Sequence, residues 1–391
     1  MRYKMSRLLE EAEKYTEKMV DLRRWFHEHP ESSFKEVATA ERIRSELDRL
    51  GLSWKAVGNG TVATLEGKNH DGPVIGLRAD IDALEITEKN EVPYKSQNDG
   101  LMHACGHDAH IAALFGAIEI LKQHIDEFNG KVKFIFQPAE EIGKGAQTIV
   151  DSGLINDVEA FFGIHVKALR DVGYVEVSPG AIMGGANSLD ITLTGKSGHG
   201  GRPYQAIDTI TCGAQIVQGL QYIVSREIPA NDAAVITVGQ FHAGTRDNIV
   251  AGSAHISGTV RILDDEIREK VASSVRRYVK GISEAANVRA EVRCEFATPV
   301  LYNSDELYGD VLDSASKVIP KEAVIPIKPD LGTEDFSAYS QIAPSFFVFV
   351  GAGGDYPHHH ERFDIDERVL PISAALHASF ALDQFKKRRI G

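Results

Sequence analysis

The sequence predicts a two-domain α/β protein in which a ferredoxin-like α+β domain interrupts a larger α/β domain. The length of 391 residues suggests two or three domains of roughly 150 residues each. Predicted strands and helices alternate near both ends of the chain, which is typical of α/β layers with a largely parallel sheet. Between about Met183 and Phe296 the order changes to β-α-β-β-α-β, which is the ferredoxin-like pattern.

The first part of the chain contains elements of the larger domain. An apolar stripe predicts a helix over residues 7–29 that stops before Pro30. A second helix, over residues 35–50, ends at Gly51, and Asn59-Gly60 between β-forming residues predicts a hairpin. The remaining pattern predicts strands over residues 74–77, 131–136 and 159–166 and helices over residues 108–124 and 146–152.

The inserted part begins with a strand over residues 188–194, in which apolar and polar residues alternate as expected when one face is wet. The later elements are a helix over 207–226, strands over 233–238 and 255–262, a helix over 265–284 and a strand over 288–296. The chain then returns to the alternation of helices and strands seen in its first part, with a helix over 306–318, a strand over 346–350 and a helix over 369–387. We therefore predict that residues 1–186 and 299–391 form one domain and residues 187–298 the inserted one.

Composition limits the partners and the compartment. Lysine and arginine sum to 43 and aspartate and glutamate to 56, so the formal charge is −13, and a nucleic acid would be repelled. The single dense basic run, residues 386–389, is typical of a solvated helix end. Three cysteines suit a reducing compartment rather than a disulfide framework. With no visible secretory signal and no membrane-length apolar run, we expect a soluble, cytoplasmic protein.

Residues 101–110 place a thiol, three imidazoles and a carboxylate just before a predicted helix. Cys105 and His107 are two residues apart, so they can converge on one metal ion only where the chain is still turning, and Gly106 permits that bend. A helix N-terminus also favours the thiolate form that binds metal. The alternative is that Cys105 is a small buried apolar residue and the histidines are incidental.

Polar groups also follow other predicted strands. Glu140 and Glu141 leave one strand in different directions, so one can bind a metal while the other acts as a general base. His165 ends another apolar strand, which we expect to place it at the edge of the sheet. The alternative for the glutamates is a solvated loop. Three consecutive imidazoles occur at residues 358–360; one is expected to be a ligand, the sequence alone does not say which, and a fortuitous polar turn is the alternative.

Two alternative interpretations of the motifs, a dinucleotide-binding loop and a thiol protease, do not fit the sequence. Residues 349–354 resemble the start of a dinucleotide-binding loop, but Tyr356 stands at the third glycine and Pro357 follows where a helix should begin. A thiol protease would use Cys105 with a histidine, which leaves the glutamate pair and His165 unexplained.

With these residues the whole chain resembles the M20 family of metallopeptidases, specifically its amidohydrolase branch of aminoacylases and hippurate hydrolases. The matching motifs are LRRWFHEHPE (22–31), LRADIDAL (77–84), MHACGHD (102–108), QPAEE (137–141), GIH (163–165), GKSGH (195–199), GTVR (258–261) and GTEDF (332–336). Their order and combination are specific, although each alone is weak. The resemblance implies a zinc-exopeptidase-like catalytic α/β domain and an inserted ferredoxin-like lid or dimerisation domain.

The resemblance also implies a centre of two divalent ions, zinc, manganese, nickel or cobalt, with Cys105 as the bridge between them. The other implied ligands are His107 and His165 on one ion and Glu141 and His359 on the second. His359 is chosen because Phe363 sets the register of the family's His-x-Pro-x-Phe pattern.

By the same resemblance, Glu140 is the base that takes a proton from the attacking water and passes it to the leaving amine. In the inserted domain, His199 would contact the substrate carbonyl or its oxyanion after domain closure. This contact would be made within the same chain or across a dimer interface. Asn248 and Arg261 would hold the substrate carboxylate, which the planar guanidinium matches.

The sequence departs from the family pattern at Glu85 and Glu361, where proline is usual. Asp80 and Asp82 stand where other branches keep a histidine ligand, and we expect them to orient ligand imidazoles.

The implied activity is hydrolysis of the amide bond of an N-acyl amino acid, acetyl or aryl, to a carboxylate and a free amino acid. The implied assembly is a homodimer or tetramer that forms through the inserted domain. The alternative within this chemistry is a metal-dependent dipeptidase or carboxypeptidase. The alternative of another class is a non-catalytic metal-binding protein with the same fold, and Glu140 argues against it because no ligand role needs that residue.

Overall fold

Two hydrophobic cores divide the chain into two units. The computed structural model describes residues 7–388, so the first six residues and Arg389, the last residue of the basic run, lie outside the described residues. Unit 1 consists of the described residues up to Gly180, Tyr302–Lys328 and the residues from Asp335 onward, and unit 2 consists of Ala181–Leu301 and Pro329–Glu334. The predicted class, an α/β protein with an inserted α+β unit, is confirmed.

The helices and strands within residues 7–388 run from unit 1 into unit 2 and back. The first are α1 (Arg7–Glu13), α2 (Thr16–Glu28), α3 (Val37–Leu50), β1 (Ser53–Val57), β2 (Gly60–Glu66), β3 (Val74–Asp80), α4 (His107–Gln123), β4 (Lys131–Gln137), α5 (Gly145–Asp151), β5 (Ala160–Ala168) and β6 (Val175–Glu176). The next are β7 (Gly180–Met183), β8 (Gly185–Thr194), β9 (Gly198–His199), α6 (Thr209–Arg226), β10 (Ala234–Ala243), β11 (Ile249–Val250), β12 (Ser253–Ile262), α7 (Arg268–Ala285) and β13 (Arg289–Thr298). The last are β14 (Leu301–Asn303), α8 (Asp305–Ser316), β15 (Val324–Ile325), β16 (Ser345–Gly353) and α9 (Val369–Arg388). None of these helices combines the length and the apolar run that a membrane crossing requires.

The sheet of unit 1 has the strand order β1-β2-β4-β3-β5-β16-β6-β15. Its central strands β4, β3, β5 and β16 are parallel, and Leu77 of β3 pairs with Phe134 on one side and Phe162 on the other. The antiparallel pairs are β1/β2, β2/β4 and β6/β16. Because parallel strands end at the same edge of a sheet, the loops that follow β3, β4 and β5 converge there.

The predicted single helix over residues 7–29 is wrong, because the structure divides it into α1 and α2. The Tyr15 N–H donates to the Ala12 oxygen at 2.9 Å, which closes a tight turn at the break. Just before it, the Glu11 carboxylate is held by His124 Nε2 at 2.6 Å, a long-range contact that no local pattern reveals. The other predicted helices and strands are confirmed with shifted ends. Strands of two to four residues were not predicted, since they are too short to show a period.

Unit 2 contains a four-stranded antiparallel sheet in the order β10-β12-β8-β13, with α6 and α7 packed against it. The predicted β-α-β-β-α-β pattern is therefore confirmed. Alternate residues of β8, such as Leu189 and Ile191, enter the core of unit 2. Asp190 lies between them on the other face, where its carboxylate contacts His255 Nε2 at 2.7 Å.

A short segment far along the chain also belongs to unit 2. Within this unit, the Gly184 N–H donates to the Gly332 oxygen at 2.7 Å, and Arg261 Nη1 donates to Thr333 Oγ1 at 2.9 Å. The predicted boundaries at residues 187 and 298 leave Pro329–Glu334 in the other domain, because nothing in the composition of this segment marks it.

A buried histidine on α9 should make the stability of unit 1 sensitive to acid. His377 is 2% exposed, and its ring lies perpendicular to the Phe162 ring at 5.5 Å between centroids. Burial lowers the pKa of His377 to about 3, so the imidazole is neutral in the folded protein at neutral pH. The unfolded chain binds a proton near the ordinary histidine pKa of about 6.5, and this difference favours unfolding as the pH falls below that value.

We expect His377→Leu to reduce the loss of stability on acidification. The wild-type free energy of unfolding should fall by up to about 1.4 kcal/mol more than that of the variant for each pH unit between about 6.5 and the folded-state pKa. Urea unfolding at about pH 7 and about pH 5.5 measures the two slopes. The exposed His70, replaced by Leu, controls for the loss of an imidazole. Equal slopes for the wild type and His377→Leu would contradict the prediction.

Candidate metal centre

The candidate centre lies in unit 1, at the edge of the sheet where β3, β4 and β5 end, and His165 is still within β5. Gly106 turns the chain into α4 with a φ of +91°, a backbone conformation that favours glycine. A Cβ atom at this position would also lie 2.4 Å from Val166 Cγ2. His107 begins α4 directly after this turn. The bend therefore lets Cys105 and His107 converge, although a regular helix would separate them.

One group of possible ligands contains Cys105, His107 and His165, whose donor atoms all lie within 4.8 Å of one another. Cys105 Sγ is 3.4 Å from His165 Nε2. The Nδ1 atoms of both histidines contact backbone oxygens, His107 that of Asp82 at 2.9 Å and His165 that of Val166 at 2.7 Å. A carbonyl can only accept, so each Nδ1 carries a proton, and Nε2 is the ring nitrogen left to face a ligand.

A second group contains Cys105, Glu141 and His359, again within 4.8 Å. Glu141 Oε2 is 3.5 Å from His359 Nε2. His359 has a φ of +63°, which is uncommon for a residue with a side chain. Its N–H donates to the Ala104 oxygen at 2.8 Å, so the His359 loop is joined to the loop of Cys105.

The structure distinguishes the three consecutive imidazoles. His358 Nε2 accepts the Ala168 N–H at 3.1 Å. The His360 ring stacks on Tyr356 at 4.5 Å between centroids. Of the three, only His359 brings a ring nitrogen into a group of possible ligands among the described residues.

We expect His359→Ala to weaken the binding of one metal ion selectively. Residues that only support a ligand cost about 10- to 100-fold in metal affinity when replaced, so loss of a ligand should cost at least about 100-fold. His360→Ala is the matched control and should bind metal as the wild type does. Metal analysis after dialysis measures both variants, and equal metal contents would refute the assignment of His359.

Glu140 stands beside these groups. Its carboxylate forms a further cluster with His107 and Glu141, and Glu140 Oε2 is 3.9 Å from His107 Nε2. The two carboxylate oxygens of Asp82 accept the Glu140 and Glu141 N–H groups at 3.1 Å each. Ala139, just before them, has a φ of +54°. This turn fixes the backbone of both glutamates.

Asp80 has a different task from Asp82. It accepts Arg78 Nη1 at 2.6 Å and contacts His110 Nδ1 at 2.5 Å. The other ring nitrogen of His110 accepts the Val166 N–H at 2.9 Å. Asp80 and His110 therefore join α4 to the end of β5, next to His165. The sequence did not predict this link, although the i,i+3 spacing of His107 and His110 places both on one side of α4.

The electrostatics of the cluster fit a cation. Burial raises the pKa of the Cys105 thiol well above its ordinary value and that of the Glu141 carboxyl to about 7, and it lowers the pKa of His165. His107 Nε2 and Glu141 Oε1 are buried without a hydrogen-bond partner in the described part of the chain. Buried polar atoms are normally paired, and a divalent cation can pair with a thiolate, imidazole nitrogens and a carboxylate at once.

The residues predicted to contact substrate belong to unit 2. His199 of β9 pairs with Ile249 of β11, and the Gly200 N–H donates to the Asn248 oxygen at 2.8 Å. The structure thus brings His199 and Asn248 together on one short ribbon, where both are exposed. Arg261 lies on β12, half-buried.

Comparison with known proteins agrees with these motifs. A sequence profile described as peptidase family M20/M25/M40 matches residues 76–383. N-acetylcysteine deacetylase of Bacillus subtilis (strain 168) is 38% identical over 370 residues, 93% of this chain and 96% of that protein. Thermostable carboxypeptidase 2 of Saccharolobus solfataricus is 36% identical, over 93% of this chain and 94% of that protein.

A solved structure extends the comparison to the fold. The Bacillus subtilis YXEP protein, described as a dinuclear metal binding peptidase from the M20 family, superposes with a TM-score of 0.85. It is 34% identical, and the match covers 96% of this chain and 99% of that one. The chain belongs to peptidase family M20/M25/M40.

Proposed function

We propose that the protein is a metal-dependent amidohydrolase with a two-ion centre that hydrolyses the amide bond of N-acyl amino acids. The observation that carries the proposal is that two groups of possible ligands share the thiol of Cys105, with Glu140 beside them. The similarity to an N-acetylcysteine deacetylase supports an N-acyl amino acid as the substrate. The ions are divalent, and zinc, manganese, nickel and cobalt all suit this mixture of ligands.

The proposed mechanism gives the side chains of unit 1 separate roles in holding the ions and in transferring the proton. The residues that hold the ions are Cys105, His107, His165, Glu141 and His359. When bound, the two ions supply Lewis acidity, which polarises the amide carbonyl and acidifies water. The Glu140 carboxylate takes the proton of the attacking water and delivers it to the nitrogen of the leaving amine. Asp82 keeps Glu140 in place through the backbone contact described above.

The substrate contacts of unit 2 form the second part of the proposal. His199 hydrogen-bonds the substrate carbonyl or its oxyanion, and Asn248 and Arg261 bind the carboxylate of the amino acid. A guanidinium suits this role because its planar fork matches the two oxygens of a carboxylate. Arg261 is already oriented by Thr333 at 2.9 Å.

A metal-dependent carboxypeptidase or dipeptidase is the second candidate, because one relative is a thermostable carboxypeptidase. A panel of N-acetyl amino acids, N-benzoyl amino acids and dipeptides, assayed with the metal-reconstituted enzyme, separates the two. We expect kcat/KM for the best N-acyl amino acid to exceed that for any dipeptide by at least about tenfold, equivalent to about 1.4 kcal/mol of transition-state stabilisation. Preference for dipeptides would replace the first candidate by the second.

We also propose that the protein is a homodimer that forms through unit 2, in the cytoplasm, where its three free thiols stay reduced. β10 is an edge strand of the sheet, and a second copy can pair with such an edge by two-fold symmetry. Phe241 on this strand is 37% exposed and Ile210 on α6 is 44% exposed. Phe241 also lies close to Gly213 of α6, so apolar surface continues from the strand to the helix.

Phe241→Lys should weaken this dimer at least about tenfold, because a charge would be buried between the copies. Sedimentation equilibrium measures the dissociation constant. Tyr302→Lys, which replaces an exposed aromatic residue outside unit 2, should remain dimeric. A monomeric wild type would contradict the proposed dimer.

A further inference from the structure

Helix α2 carries a buried arginine that the proposed chemistry does not use. The Arg23 side chain is 0% exposed. Three carboxylates surround its guanidinium: Asp108 at 2.8 Å from Nε, Asp364 at 2.7 Å from Nη2 and Glu367 at 3.3 Å from Nη1. A buried charge is tolerated only when its partners are well placed, so this fork fixes the positions of the segments that it contacts.

Two of these carboxylates are attached to segments that carry possible metal ligands. Asp108 directly follows His107 in the first turn of α4. Asp364 lies in the loop that carries His359, directly after the buried Phe363. A single rigid guanidinium therefore spans the start of α4, which belongs to the first group of ligands, and the His359 loop, which belongs to the second.

The His359 loop depends on such support. The His359 side chain is 54% exposed, so packing alone does not hold it, and its φ of +63° is strained. A strained backbone persists only where the surroundings determine it. Beyond Arg23, Tyr94 donates its hydroxyl to Asp364 Oδ2 at 2.9 Å. The Tyr94 ring also lies 4.8 Å from the guanidinium carbon of Arg23.

We infer that Arg23 is a positioning residue. Its guanidinium holds the His359 loop through Asp364 and the start of α4 through Asp108, and so fixes the position of one relative to the other. Together with the hydrogen bond from the His359 N–H to the Ala104 oxygen, it sets the place of His359 relative to Cys105 and Glu141. The Cys105, His107 and His165 group has its own supports at Gly106, Asp82 and Asp80. Losing the Asp364 contact should therefore affect one metal site and spare the other. The inference rests on the two-ion centre of the proposed function.

The test is a titration of the full-length, metal-free protein with zinc, followed by calorimetry and checked by metal analysis. The wild type should take up two equivalents. Asp364→Ala should bind the first within about threefold of the wild type and the second about 10- to 100-fold more weakly, the usual cost of losing a group that orients a ligand. Asp366→Ala is the matched control, because Asp366 lies in the same loop but its carboxylate contacts Arg368.

Two milder variants keep the test valid if Asp364→Ala folds poorly. Tyr94→Phe removes only the hydroxyl that contacts Asp364, and Arg23→Lys keeps the charge but cannot bridge two carboxylates as a planar fork does. Both should weaken the second equivalent more than the first. The inference about Arg23 would be overturned if all three variants bound both equivalents of zinc with the wild-type affinities, or if both equivalents were weakened equally. Either result would leave the proposed two-ion centre intact. Fewer than two equivalents in the wild type would overturn the proposed two-ion centre instead.

Discussion

Replacing Glu140 by glutamine should leave the protein folded and able to bind two metal ions but lower kcat by about 10²- to 10⁴-fold, the usual contribution of a general base. The amide has nearly the same shape as the carboxylate but cannot accept a proton from water at neutral pH. Its backbone N–H donates to Asp82 at 3.1 Å, and the substitution preserves this contact. Steady-state kinetics on the best N-acyl amino acid, with metal analysis of the same sample, measures both quantities.

Glu361→Gln is the matched control for this variant. Glu361 lies in the loop of His359 but forms an exposed ion pair with Lys89, so its replacement should change kcat little. Unchanged turnover in Glu140→Gln would remove the proposed base. A parallel loss of metal and activity would instead make Glu140 a ligand.

Replacing Cys105 by alanine should remove both metal ions together. Its sulfur belongs to both groups of possible ligands, whereas His107, His165, Glu141 and His359 each belong to only one of those two groups. The variant should retain less than about one ion per chain after dialysis and lose hydrolysis to background, because no ligand of comparable softness remains in either group. Metal analysis and circular dichroism of the same preparation separate metal loss from unfolding.

Cys212→Ala is the matched control for the thiol. Cys212 is buried in unit 2, so its replacement should preserve both ions. A Cys105→Ala protein that keeps one ion at wild-type affinity would show that the sulfur serves one site only, and the shared-ligand arrangement would be wrong.

The sequence was most informative where residues with metal-binding or acid-base side chains stand at the ends of predicted strands. The chain order of the motifs predicted the family, and the family's His-x-Pro-x-Phe pattern, with Phe363 setting its register, implied His359 among three neighbours. The structure brings that residue to Cys105 and Glu141. The place of Glu140 and Glu141 follows from the sequence because a parallel sheet delivers the residues after its strands to one edge.

Backbone strain and long-range anchoring were not predictable in the same way. The positive φ angles of Ala139 and His359 have no local signature, since neither residue is a glycine. The Glu11–His124 contact beside the break before α2 and the place of Pro329–Glu334 in unit 2 both join distant parts of the chain. Only the folded arrangement of tertiary partners determines such features.

The most direct test of the central claim is anomalous X-ray diffraction from crystals of the metal-reconstituted protein, collected above and below the absorption edge of the metal. The account predicts two anomalous peaks per chain, both within about 2.0–2.3 Å of their ligand atoms. One peak should contact Cys105, His107 and His165, and the other Cys105, Glu141 and His359. A single peak, or a second peak that does not contact Cys105, would contradict the shared two-ion centre.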